Sequence, residues 1–174
     1  MSAQTHETAP TRFVEANGIR FAYRRFGRGE GLPMLFCQHF TGTMDNWDPI
    51  VTNTLAQERE VIFFDNQGVG SSSGKTPDSV QAMTTDALAL VDALGLKRID
   101  LLGFSLGGGM VAQQIVLDRP KLVRYLILAG TGPEGGERIA CVICCAIGVI
   151  RMREIRPNLA SSKIIFPSSS LSTT

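Results

Sequence analysis

The sequence predicts an α/β fold, in which a mostly parallel sheet begins with an antiparallel hairpin and is covered by helices on both faces. Short apolar, strand-like runs alternate with helical periods from residue 34 to residue 129. The connections between them are short throughout. Near the amino terminus an Asn17-Gly18 pair joins two β-rich runs, which is typical of a tight hairpin turn.

The first half of the chain contains the predicted hairpin, two buried strands and one helix. We expect strands at residues 13–16, 19–26, 34–37 and 61–64. Trp47, Ile50 and Val51 begin an apolar repeat at helical spacing that continues to Glu58. This repeat predicts a helix between the third and fourth strands.

The second half continues the alternation. Thr76-Pro77-Asp78 has the cap residue, proline and carboxylate of a helix start, and Gly95 ends that helix. We expect the next strand at residues 99–104, a helix from about Gly108 to Asp118, and a last strand at residues 123–129. The carboxyl ends of such strands form one rim, where ligands bind in open α/β sheets.

Composition and net charge indicate which classes of partner the protein is expected to bind. The chain has 174 residues, 44% of them hydrophobic and 19% charged, which suits one domain with a core. The net charge of +1 and the lack of a Lys/Arg cluster give no reason to expect nucleic acid or an anionic membrane. Residues 1–12 have no signal-peptide pattern, which favours a cytoplasmic location. The longest apolar run, residues 139–150, is shorter than the roughly 20 residues of a membrane span.

The cysteines predict neither a metal site nor a cofactor. Cys141 and Cys144 have the spacing of half a zinc site, but no second Cys or His pair follows them. Cys37 lies in an apolar strand-like run. We therefore expect reduced, buried thiols.

A serine between glycines is the main candidate for chemistry. Ser105 stands in Gly103-Phe104-Ser105-Leu106-Gly107, which follows a predicted buried strand and opens a predicted helix. This is the context of a nucleophile elbow, where small flanking residues allow strand and helix to approach closely. The alternative is a glycine-rich turn in which Ser105 only caps the helix.

Three motifs together resemble the amino-terminal part of an α/β-hydrolase of the esterase and haloperoxidase-like group. They are the Ser105 elbow, Gln38-His39-Phe40-Thr41-Gly42 with Trp47 behind it, and Asp65-Asn66-Gln67-Gly68-Val69-Gly70-Ser71. The resemblance implies that Ser105 is the nucleophile and that the backbone N–H groups of Phe40 and Leu106 form the oxyanion hole. The Phe40 side chain would then form a wall of the acyl pocket. The alternative is that Phe40 is an ordinary core residue beneath the loop.

Three further polar residues have less direct interpretations. We expect His39 to be a turn histidine bonded to local backbone, or else a substrate hydrogen-bond partner, and not the general base. Asp65 is expected to fix the turn after its strand; the alternative is the catalytic acid. By the resemblance, Glu134 lies where some branches of the family place the catalytic acid, but we expect a solvated loop carboxylate.

The resemblance implies hydrolysis of an ester or similar small acyl substrate through an acyl-Ser105 intermediate. A serine nucleophile needs a base, and no histidine follows His39, so we expect the activity of this chain to be crippled. The alternative is a non-catalytic binding or interaction module that keeps the pocket. A haloperoxidase or perhydrolase side activity would use the same residues.

The predicted organisation has three parts. Residues 1–11 are expected to be a disordered lead-in, residues 12–136 a partial α/β-hydrolase domain, and residues 137–174 an atypical tail. A truncated or frame-altered gene would produce such a tail, and so would a short variant that pairs with another chain. Either case predicts an exposed sheet edge and self-association. Gly107-Gly108-Gly109 is one glycine longer than usual, and we expect the first turn of the helix to absorb it.

Overall fold

The computed structural model describes residues 4–131 and 147–151. The strands are Arg12–Ala16 (β1), Ile19–Gly27 (β2), Met34–Cys37 (β3), Glu60–Phe64 (β4), Ile99–Phe104 (β5), Val123–Ala129 (β6) and Ile147–Arg151 (β7). The helices are Pro49–Ala56 (α1), Val80–Ala93 (α2) and Ser105–Asp118 (α3), with a 3-10 turn at Met44–Asn46. No helix of this part of the chain is long and apolar enough to cross a membrane.

The seven strands form one sheet in the order β1-β2-β4-β3-β5-β6-β7. The pairs β3–β4, β3–β5 and β5–β6 are parallel, and the pairs β1–β2, β2–β4 and β6–β7 are antiparallel. The predicted α/β fold with an amino-terminal hairpin is therefore confirmed. At the hairpin turn, Asn17 and Gly18 have φ of 53° and 75°, the left-handed values that such a turn requires.

The sheet is packed on both faces because its central strands are apolar on both sides. In β3, Leu35 and Cys37 join the core cluster that contains α2 and α3. Met34 and Phe36 join the opposite cluster, against Ala56 of α1 and Trp47. The continuous apolar runs of the sequence thus mark strands buried on both faces.

Two helices begin at different residues from those predicted. Helix α2 begins at Val80, and its cap is Ser79, whose hydroxyl accepts from the N–H of Ala82 at 3.3 Å. The Thr76-Pro77-Asp78 start was therefore placed too early. Helix α3 begins at Ser105 and not near Gly108, because β5 passes into the helix without an intervening loop.

The amino-terminal segment is not a disordered lead-in over its described residues. His6 is 4% exposed, and its Nδ1 lies 3.0 Å from the Thr52 hydroxyl. Its backbone N–H donates to Asn53 at 2.7 Å, and its ring stacks on Phe63 at 5.1 Å between centroids. The prediction was wrong because these partners lie on α1 and β4, far along the chain.

A strand that was not predicted, β7, covers the edge of β6. Strand β7 pairs antiparallel along it, from Tyr125 opposite Arg151 to Ala129 opposite Ile147. β7 is then the last strand of the described sheet. Self-association through a sheet edge stays a prediction. The predictions for Glu134 and for Cys141, Cys144 and Cys145 concern residues outside the described part of the chain.

Candidate active site

Ser105 stands at the junction of β5 and α3. Its φ is 60°, in the left-handed region, although it is not a glycine and the helix begins at this residue. Such a conformation is strained for a residue with a Cβ and persists only where the surrounding structure imposes it. The strand, sharp turn and helix that define a nucleophile elbow are all present here.

Close backbone approaches explain the glycines around Ser105. A Cβ on Gly103 would lie 2.6 Å from the carbonyl oxygen of Gly108, and a Cβ on Gly108 would lie 2.0 Å from that of Cys37. A Cβ on Gly109 would lie 2.3 Å from Thr131 Oγ1. Because any of these would be a clash, glycine lets α3 press its first turns against β3, β5 and the end of β6.

Absorption of the extra glycine in the first turn stays a prediction, but the unusual dihedral angles expected for it are not found at Gly108 or Gly109. Gly108 and Gly109 lie inside a continuous helix, and neither has a positive φ. The lack of a side chain at these two positions leaves space for Cys37 and Thr131, which pack against the helix.

The loop after β3 lies beside the elbow. Cys37 is opposite Gly103 in the parallel register, so residues 38–42 leave the sheet next to Ser105. The rings of His39 and Phe104 meet edge to face, 6.1 Å apart. Phe40 is 49% exposed, so its interpretation as ordinary core is wrong. Leu106 lies in the first turn of α3. The structure thus brings Phe40, Ser105 and Leu106 into adjoining segments, and their oxyanion role stays a prediction.

Aromatic side chains flank the elbow. Phe104 is 38% exposed, and its ring lies 5.9 Å from that of Trp47. Trp47 is anchored edge to face on Phe36 at 5.0 Å. The indole N–H of Trp47 is buried and has no hydrogen-bond partner among the described residues. An aromatic cluster thus lies next to the elbow, and the exposure of Phe104 was not predicted.

Asp65 fixes the turn that follows β4, as predicted, and it also holds the segment after β3. It is buried, its Oδ1 accepts from the N–H of Met44 at 2.8 Å, and its Oδ2 accepts from the N–H of Ser71 at 2.8 Å. A Cβ on Gly70 would lie 2.3 Å from Oδ2. One carboxylate thus holds the turn after β4 against the segment after β3, so its role is structural.

Neither histidine is bonded to the serine. Among the described residues, the hydroxyl of Ser105 and the ring of His39 form no hydrogen bond, so the local backbone bond expected of that ring is not found. The backbone of His39 bonds locally instead: its N–H donates to Gln38 Oε1 at 2.9 Å, and its carbonyl oxygen accepts from the N–H of Gly42 at 3.0 Å. His6 is held at Thr52, where burial above all, and then Arg24, lower its pKa.

A metal site is not formed by the described residues, where no group of three or more His, Cys, Asp or Glu side chains could hold an ion. Cys37 is a free, buried cysteine, and burial raises the pKa of its thiol to about 12. Thr131, which packs on Gly109, is a part of the site that sequence reasoning missed, since nothing local marks a contact between distant residues.

Comparison with known proteins agrees with this geometry. A solved α/β-hydrolase fold protein from Chitinophaga pinensis superposes with a TM-score of 0.72 and 50% identity, over 75% of this chain and 47% of that one. A protein named as a carbamate hydrolase from Rhizobium rhizogenes is 30% identical, over 63% of this chain and 42% of its own length. A non-heme chloroperoxidase from Streptomyces lividans is 29% identical, over 68% and 43%.

The chain spans less than half the length of these relatives. The model of the alpha/beta hydrolase fold family matches residues 33–140, which include β3 to β6 and the Ser105 elbow. With the sheet order, the elbow and this match in agreement, the chain belongs to the α/β-hydrolase fold family.

Proposed function

We propose that Ser105 is the nucleophile in the hydrolysis of an ester or a similar small acyl substrate. The observation that carries this is the left-handed Ser105, at φ 60°, on the turn between β5 and α3. Ser105 keeps a strained conformation, and the glycines around it are positions where a Cβ would clash. This combination indicates that the serine side chain is required at this position. The hydrolases among the similar proteins support the reaction class.

In the proposed reaction, Ser105 Oγ attacks the carbonyl carbon of the substrate and gives its proton to a base. The carbonyl oxygen becomes an oxyanion, to which the N–H groups of Phe40 and Leu106 donate. The bond to the leaving group then breaks, and the leaving group takes the proton. Water releases the acyl group from Ser105. Loss of one oxyanion donor typically lowers the rate about a hundredfold or more.

The proposed reaction needs a base that accepts the proton of Ser105. No histidine follows His39 in the sequence, and no described histidine is bonded to Ser105. A serine without a base is a weak nucleophile at neutral pH. We therefore expect slow covalent labelling of Ser105 and little turnover.

A fluorophosphonate probe tests the proposal on the full chain. We expect slow, stoichiometric labelling that is lost in Ser105→Ala. Ser71→Ala is the matched control, because Ser71 is exposed in the neighbouring loop and only its backbone bonds to Asp65. Labelling of Ser71→Ala should equal that of the parent chain.

Two results would contradict the proposal. If Ser105→Ala still labels, the nucleophile is another residue. If the folded parent chain does not label at all, the pocket belongs to a non-catalytic binding module. Circular dichroism of each variant establishes that the comparison is between folded proteins.

A further inference from the structure

A cavity lies at the amino ends of the parallel strands, at the opposite end of β5 from Ser105. It has a volume of about 710 Å³ and is placed where β3, β5 and β6 begin and β7 ends. Four cationic side chains line it, Arg98, Lys121, Arg124 and Arg151, and among the described residues no acidic side chain does. Apolar side chains and Tyr125 complete its walls. We call this cavity the basic groove.

One of the cations is held in place by an ion pair. Arg124 binds Asp100 through two hydrogen bonds, at 2.9 Å from Nε to Oδ1 and 2.6 Å from Nη2 to Oδ2. Its guanidinium also lies 5.0 Å from the centre of the Tyr125 ring, and that of Arg151 lies 5.9 Å from it. The ion pair fixes the direction of the Arg124 guanidinium before any ligand arrives, which lowers the cost of binding.

The groove carries an excess of positive charge. Asp100 is 1% exposed and pairs with both Arg59 and Arg124, so one negative charge serves two cations. Over the part of the chain that the structure describes, Arg98, Lys121 and Arg151 have no carboxylate partner. Like charges gathered around one cavity repel, and a bound anion would relieve that repulsion.

We propose that the basic groove binds a small organic molecule that carries a diphosphate or triphosphate group. Guanidinium groups match phosphate oxygens with paired N–H donors, and several cations suit a chain of phosphates better than one. The volume exceeds what phosphates need, and Tyr125 with Leu32 and Val123 offers apolar surface for the organic part. The sequence showed no basic cluster because these residues come from separate segments.

The groove is separate from the proposed nucleophile. The five steps from Ile99 to Phe104 along β5 rise about 3.3 Å each, so the two ends of this strand lie about 17 Å apart. A ligand in the groove therefore does not touch Ser105, and its binding is independent of the acyl-transfer proposal.

Titration calorimetry of the full chain at fixed ionic strength tests the proposal, with ATP, inorganic tripolyphosphate and sulfate as probes. We expect one site, with ATP binding more tightly than tripolyphosphate and sulfate at least tenfold more weakly. Arg98→Gln with Lys121→Gln should raise the Kd for ATP at least tenfold. Arg28→Gln with Lys75→Gln, an equal loss of charge at exposed loop positions, should change it less than twofold.

Each other outcome overturns the proposal. Equal weakening by the two double variants means unspecific attraction by net charge. No binding of ATP or tripolyphosphate to the folded parent chain means that no such site exists. Binding that blocks fluorophosphonate labelling of Ser105 and survives Arg98→Gln with Lys121→Gln places the ligand at the other edge.

Discussion

The two ends of the parallel strands are built in different ways: the carboxyl edge, where Ser105 lies, and the amino edge, where the basic groove lies. At the carboxyl edge, Gly103, Ser105 and Gly108 are near neighbours in sequence, and contacts of backbone with backbone define the site. At the amino edge, the four cations of the basic groove come from three separate segments, and one of them, Arg124, pairs with the buried carboxylate of Asp100. The first kind of site can be recognised as a motif, whereas the second exists only once the chain has folded.

The largest effect is expected from adding a methyl group at the carboxyl edge. In Gly108→Ala the new Cβ would lie 2.0 Å from the carbonyl oxygen of Cys37, a backbone atom that cannot turn aside. We expect the free energy of unfolding to fall by about 3 kcal/mol. Urea denaturation measures it.

Gly29→Ala is the matched control, because its Cβ meets nothing within 4 Å. It should be neutral or slightly stabilising. If Gly108→Ala were also neutral, helix α3 would not be pressed on β3, and the steric account of the carboxyl edge would fail.

A smaller effect is expected at the amino edge. Asp100→Asn removes the one buried negative charge between Arg59 and Arg124, whose side chains are 28% and 35% exposed and so stay partly hydrated. We expect a loss of about 2 kcal/mol in the free energy of unfolding. Denaturant titration of the variant and the parent chain measures the difference.

Asp92→Asn provides the comparison for that variant. Asp92 pairs with Arg119 in an exposed ion pair, with side chains 56% and 42% exposed. Its loss should cost less than about 1 kcal/mol. Equal costs at the two positions would mean that the amino edge is not organised around Asp100.

The smallest effect concerns the strain at Ser105 itself. Ser105→Gly and Ser105→Ala both remove the hydroxyl, but only glycine adopts a φ of 60° without a steric penalty. We expect Ser105→Gly to be the more stable by about 1 kcal/mol. Thermal unfolding of the two variants side by side checks this, and equal stability would mean that the backbone at the elbow is unstrained.

The sequence predicted β3, β5 and β6 with their observed bounds because each is a short apolar run with a clear stop at both ends. The Ser105 elbow and the role of Asp65 were also accessible, since glycine spacing and turn chemistry are local. The burial of His6 was not, because its partners Thr52 and Phe63 are distant in sequence. The pairing of β7 and the basic groove depend on tertiary contacts in the same way.

The buried thiol of Cys37 can report how often the structure beneath the elbow opens. Its pKa of about 12 keeps it protonated, and it lies in the core cluster beneath α3, so a thiol reagent cannot reach it while the helix is seated. Alkylation of this one cysteine, followed by mass spectrometry of its peptide, therefore counts how often α3 lifts from β3. The opening of the core beneath Ser105 can thus be followed chemically without any label being introduced.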